Sequence, residues 1–147
     1  MIKLLLAIAL GFLGLTAVEG GKATPPQNSA DPQVKVVKNL DLNLEVADTD
    51  AKREQGLSGR SKLPDNQGML FSFEQPSFQS FWMKDMSFSL DFLWLDENKE
   101  IVDLTQNVAP ETYPGTFSPK KPVKYVVEVG AGYVEANSLK IGETLSF

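Results

Sequence analysis

Between Leu40 and Val46 apolar and polar residues alternate strictly, Leu40, Leu42, Leu44 and Val46 against Asp41, Asn43 and Glu45. A period of two predicts a strand with one wetted face. Asp48-Thr49-Asp50 supplies side-chain acceptors for free N–H groups, so a helix of about two turns is expected over the following AKREQ, with Gly56 placed to end it. A turn cluster, Leu63 to Gly68, leads into a second strand at Met69–Phe73, and another turn covers Glu74 to Ser77. Ser80 to Met86 fits neither period. Phe88 to Leu95 is apolar on both faces except at Ser89 and Asp91, which predicts the strongest strand, at the centre of the core. Asp96-Glu97-Asn98-Lys99 is a hairpin turn with Glu100 to Leu104 returning. Val123 to Val129 is a strand with Val123, Tyr125, Val127 and Val129 on one face; Tyr133 to Asn137 forms a helical turn and Thr144 to Phe147 a last strand. The fold class is mainly β, a β-rich α+β domain built as a small barrel or rolled sheet with one or two short helices.

The N-terminus has a different pattern. Lys3 precedes the apolar run Leu4 to Val18, and a polar stretch rich in proline, glycine and small residues follows. A charged start followed by a short apolar stretch is the layout of a secretory signal. As a helix the run is about 22 Å long, short of the roughly 30 Å hydrocarbon core, so a cleaved signal fits better than a permanent anchor. The organisation expected is a signal or N-terminal anchor at 1–20, a flexible linker at 21–33 and a single β-rich domain at 34–147. Such a protein is exported to the periplasm or exterior and meets a membrane only through its N-terminal segment.

Composition narrows the chemistry. The 147 residues contain no cysteine and no histidine, and Lys+Arg of 14 against Asp+Glu of 19 give a net charge of -5. Disulfides, thiolate zinc sites, thiol nucleophiles, imidazole ligands and the Ser-His-Asp triad are excluded. The acidic balance argues against nucleic acid as a partner. Any chemistry uses carboxylates, Lys, Arg, Tyr, hydroxyls or thioethers, and no cofactor is expected.

Among those groups Asp91 stands out, because its apolar neighbours predict burial and a buried carboxylate needs a partner or a proton. Arg60, Lys84, Arg53 and the Ser89 hydroxyl are candidate partners. A carboxylate held by backbone N–H groups is the architectural alternative. Phe81-Trp82-Met83-Lys84-Asp85-Met86 sets an indole, two thioethers, an ammonium and a carboxylate within one short segment, the elements of a polar-ligand pocket or of a core strand with a wet edge. Met69, Met83 and Met86 could form a soft Cu(I) site but read better as core residues. Arg60 between Gly59 and Ser61 suits a bidentate carboxylate or phosphate contact, or a surface pair. The proline-rich stretch from Asn107 to Pro122 is either a binding loop or a strap packed on the sheet.

Taken in order, Arg53-Glu54-Gln55-Gly56-Leu57-Ser58-Gly59-Arg60, Leu63-Pro64, Gly68-Met69-Leu70-Phe71, Phe81-Trp82-Met83-Lys84, Leu90-Asp91, Tyr125-Val126-Val127-Glu128 and Ala131-Gly132 resemble the bacterial and archaeal domain of unknown function family 192. The match runs from about Leu40 to Phe147. Ser58 replaces a usual Met, Asp85-Met86 a usual Asn-Thr, and Val127 a usual Leu. The resemblance implies a compact β-rich fold, often exported, with no general activity attached.

These features support an exported binding module that holds a small polar or anionic ligand, or a partner segment, between the Trp82-Lys84-Asp85 strand and the Asn107 to Pro122 loop. Trp82 would stack, Arg60 and Lys84 would meet anionic oxygens, and Asp91 would orient Arg60. One alternative is a hydrolase or lyase using Asp85 and Asp91 as an acid/base pair. The other is a structural or interaction protein without a pocket.

Overall fold

The computed structural model describes residues 37–147; the signal and linker expected at 1–33 lie outside them. The described chain is mainly β. In order it forms β1 (Val37–Asn39), β2 (Asn43–Ala47), α1 (Asp50–Gln55), β3 (Gln67–Ser77), β4 (Phe81–Trp82), β5 (Leu90–Leu95), β6 (Ile101–Val108), a 3-10 turn at Pro110–Thr112, β7 (Thr116–Phe117), β8 (Val123–Gly130), α2 (Tyr133–Ala136) and β9 (Thr144–Ser146).

Five strands form the central sheet in the order β2-β3-β8-β5-β6. The outer strands β2 and β6 do not pair with each other, so the sheet is open rather than closed into the barrel that the strand count suggested. β2 and β3 run parallel, which requires a crossover, and α1 with the loop after it provides one. All other neighbours in this sheet are antiparallel. Two small ribbons complete the fold, a parallel one of β1 and β9 and an antiparallel one of β4 and β7.

Both faces of the sheet are covered. One carries Leu57, Met69, Phe71, Met83, Phe92, Trp94 and Val126, with Phe81 and Phe117 packed against them. The other carries Leu70, Leu93, Leu95, Ile101, Val127 and Val129, roofed by Val134 and Leu139 around α2. β5 shows the division most plainly: Leu90, Phe92 and Trp94 face the first cluster, Leu93 and Leu95 the second. Each fully buried side chain of this size contributes about 1.5–3 kcal/mol. The Trp94 indole N–H is satisfied by the Thr105 hydroxyl at 2.9 Å.

The local signals were accurate where they rest on capping. Thr49 is the N-cap of α1, its hydroxyl accepting from the Lys52 N–H, and Gly56 ends the helix at φ 48°. Asp96 closes the hairpin by accepting from the Asn98 and Glu100 N–H groups. Of the alternating stretch only Asn43 onward is strand, Leu40 to Leu42 linking β1 to β2, and on this edge strand Val46 is 47% exposed while Ala47 next to it is buried in the core.

Gly68 has a packing reason. A Cβ there would lie 2.8 Å from the Glu128 carbonyl oxygen and 3.0 Å from the Leu44 side chain, so β3 approaches β8 as only glycine allows. Gly68→Ala is expected to cost about 1–3 kcal/mol, seen as a lower urea midpoint with an unchanged slope.

Candidate functional site

The Phe81-Trp82-Met83-Lys84 segment alternates after all. Phe81 packs edge-on against Phe71 and Trp94, with ring centroids 4.9 and 5.4 Å apart, and Met83 is buried, while Trp82 and Lys84 point outward. β4 then hydrogen-bonds to β7, pairing Phe81 with Phe117 and Trp82 with Thr116. The Asn107 to Pro122 stretch is therefore a strap stitched to this strand, backbone to backbone. The loop beyond Met83 is pinned to the one after α1: the Gly59 N–H donates to the Asp85 carbonyl at 2.8 Å and the Ser58 hydroxyl to the Lys84 carbonyl at 2.9 Å. Asp85 has φ 56°, a left-handed conformation that Asp and Asn tolerate better than most residues.

Pinning these loops together opens a cavity of about 570 Å³ on the first face of the sheet. α1 and the turn after it line one side; Phe71, Phe73, Phe81, Trp82 and Met86 line the rest, and Glu128 of β8 lies at its floor. Glu128 is only 5% exposed, with Met69 and Phe92 as its cross-strand neighbours. Among the described residues its carboxyl has no hydrogen-bond or ion-pair partner. Burial pushes its pKa up to about 8, so at neutral pH it is mostly protonated and can donate a hydrogen bond. Asp50, Arg53 and Glu54 supply the charge at the mouth. Arg53 is already engaged: it donates to the Ser72 carbonyl at 2.7 Å and to Asp50 at 2.6 Å, and its guanidinium lies over the Phe73 ring.

The residues singled out from the sequence do not converge here. Trp82 does line the cavity, at its edge and 51% exposed. Arg60 does not pair with Asp91; it makes a bidentate contact with Glu45 at 2.6 and 2.9 Å, which raises its own pKa and lowers that of Glu45, and it borders a separate groove of about 510 Å³. Lys84 and Asp85 are exposed outside the cavity lining. Asp91 is fully buried and accepts from the Asn107 N–H at 2.8 Å and the Val134 N–H at 3.0 Å. Val134 belongs to the opposite core cluster, so Asp91 ties the sheet to α2. Met69, Met83 and Met86 all pack in or against the first apolar cluster.

Glu128 is passed over by a sequence reading of β8 that sets Val123, Tyr125, Val127 and Val129 on one face and leaves the other face unassigned. β8 is the middle strand of a sheet covered on both sides, so the face of Val126 and Glu128 is as enclosed as that of Tyr125, Val127 and Val129. Val123 leaves its expected face for the first cluster, where the β3–β8 register shifts. The signal available was the two-sided apolar pattern of β5, whose neighbour in a covered sheet must itself be covered.

A family model described as DUF192, Uncharacterized ACR, COG1430, matches residues 33–147. The UPF0127 protein PF1050 of Pyrococcus furiosus is 32% identical over 123 residues, which cover 78% of this chain and 96% of that protein. Two crystal structures superpose with a TM-score of 0.66, each over 69% of this chain. A proposed transcription regulator from Sinorhizobium meliloti is 32% identical and covered over 78% of its length; a protein of unknown function from Novosphingobium aromaticivorans is 26% identical and covered over 71%.

Proposed function

The chain belongs to the DUF192 family, and from that premise, which supplies a fold but no chemistry, we propose that it is a small-molecule-binding module whose site is the cavity over Glu128. The observation that carries this is the unpartnered carboxyl at the floor of an aromatic-walled cavity. Cavities of about 300–1,000 Å³ with apolar walls and few polar groups are what small ligands occupy. A carboxyl in apolar surroundings without a protein partner costs stability, and because its oxygens are not sealed off, unlike Thr144 Oγ1, they are open to a ligand in the cavity.

A carboxyl held near pKa 8 also suits a general acid, which keeps an enzymatic reading in second place. Binding is preferred because among the described residues no base, hydroxyl or cation hydrogen-bonds to Glu128 to complete an acid/base pair. Asp85 and Asp91 are poor candidates for one: the first lies exposed in a loop and the second is locked between two backbone N–H groups. DNA is the poorer partner for this chain, whose net charge is -5. Export remains part of the proposal, supported by Lys3 and the apolar run after it.

The protein carries its own reporter. Of its two tryptophans, Trp94 is buried and Trp82 edges the cavity. In a small-molecule screen of the full chain, ligands are expected to raise the melting temperature and shift Trp82 emission to shorter wavelength. Trp82→Phe should remove the optical change and keep most of the thermal one. Ligands that stabilise the protein without altering Trp82 emission, and equally in Glu128→Gln, would place the site elsewhere.

A further inference from the structure

The proposal above leaves the ligand class open, and the charges around the cavity decide it. Three carboxyl residues line it, Asp50, Glu54 and Glu128, against one cation, Arg53. Arg53 and Asp50 neutralise each other at 2.6 Å, and the second guanidinium arm is spent on the Ser72 carbonyl. What remains unpaired by any described contact is Glu54 at the mouth and Glu128 at the floor. The lining residues from β3, β4 and the Met86 loop are uncharged, so no free cation faces an anionic guest. An anion entering here would meet like charge at the rim and an unpaired carboxyl below.

The walls point the same way. Phe71, Phe73, Phe81 and Trp82 surround the space above Glu128, and aromatic rings attract organic cations through their quadrupole, most strongly when water is excluded. One cation already uses this surface, the Arg53 guanidinium 5.2 Å from the centre of the Phe73 ring.

Resting on the binding reading, we propose that the cavity takes an organic ammonium ion, with its charged nitrogen against the Glu128 carboxyl and its alkyl or aryl groups against the aromatic walls. Binding near neutral pH then exchanges ions: the Glu128 carboxylic acid gives its proton to solvent and the carboxylate pairs with the incoming cation. The desolvation that keeps the proton on Glu128 in the empty cavity is offset by that pairing. The other titratable groups facing the cavity, Asp50, Arg53 and Glu54, all come from α1.

Calorimetric titration of the full chain tests this, with choline and benzyltrimethylammonium as probes, 3,3-dimethylbutan-1-ol as the uncharged isostere of choline, and benzoate as an anion. The ammonium probes are expected to bind about tenfold more tightly per pH unit between pH 6 and 8, levelling above, as a single linked proton requires. Buffers of different ionisation heat should reveal close to one proton released per probe bound at pH 7. Glu128→Gln should abolish that release and flatten the pH profile, and Trp82→Ala, at an exposed position, should weaken binding while the protein stays folded. If the neutral isostere or benzoate binds in a Glu128-dependent way and the ammonium probes do not, the cavity is a binding site but not for cations. If no probe binds and the small-molecule screen also yields no Trp82-reported ligand, both readings fall.

Discussion

Glu128→Gln is expected to make the protein more stable, by a margin that widens as pH rises from 5 to 8. In the unfolded chain this glutamate loses its proton near 4.5, whereas in the folded protein burial holds the proton to about 8. Between those values the folded state carries a proton that the unfolded state lacks. Its contribution is therefore complete below pH 4.5, declines by about 1.4 kcal/mol per pH unit, and is gone above pH 8. The full loss approaches about 5 kcal/mol, a large share of the stability of a small domain. Glutamine has nearly the same shape and does not titrate, so it escapes the decline. Glu45 and Asp48, whose pKa values are lowered by Arg60 and Lys52, titrate below this window and leave it undisturbed. Urea unfolding at pH 5, 6.5 and 8 should show the wild-type midpoint falling and the variant's nearly level. At pH 8 the variant should melt about 10–20 °C higher. Parallel curves for the two proteins would mean that Glu128 ionises as an ordinary surface carboxylate, and the site built on it would lose its basis.

That expected gain separates two of the three buried carboxyl groups, Asp91 and Glu128, which sit on opposite faces of one sheet; the third, Asp103, accepts from the Leu104 and Lys120 N–H groups and the Lys120 ammonium. Glu128 is a residue the fold would be better without; Asp91 is one it cannot do without. The sequence draws attention to Asp91, with an architectural role among its readings, and passes over Glu128. Asp91 drew attention because it interrupts an unbroken apolar run, and its burial was legible for that reason. Glu128 follows Val126 and Val127 in a strand whose alternation could be satisfied by leaving it in water. Neighbouring strands, not the strand itself, decide that question, and strand order is a long-range property that no local window contains. Caps and turns were readable because their partners lie within four residues, as at Thr49, Gly56 and Asp96. The open sheet was not, because closure depends on whether β2 meets β6, two strands more than fifty residues apart in sequence with α1, β3, β4 and β5 between them. Trp82 edges a cavity whose other walls come from α1 rather than from the proline-rich strap that the sequence set against it.

The architectural role of Asp91 has an equally large consequence. α2 begins at Gly132, which has φ 87° and no side chain with which to cap the helix. Asp91 supplies the missing acceptor from the sheet, taking the Val134 N–H on one oxygen and the Asn107 N–H, at the end of β6, on the other. Asn107 itself has φ 55° where the β5–β6 register shifts between the Phe92–Thr105 and Leu90–Val108 pairs, a local conformation that the carboxylate helps to hold. Asp91→Asn keeps the size and removes one acceptor, which sets an amide NH2 against a backbone N–H in a site without water access. Bonds to a charged acceptor contribute about 1.5–3 kcal/mol each, and a stranded buried donor costs about as much again. The variant is therefore expected to lose about 2–4 kcal/mol, and Asp91→Ala more, since it strands both donors and opens a void. Hydrogen exchange should locate the damage, with protection lost first at Asn107 and Val134 and then through α2. The cavity over Glu128 lies across the sheet, so the folded fraction of Asp91→Asn should still bind whatever wild type binds, with the same Trp82 response. An Asp91→Asn protein that keeps its midpoint but loses the ligand would return Asp91 to the binding site and undo the assignment of the two carboxyls to opposite tasks.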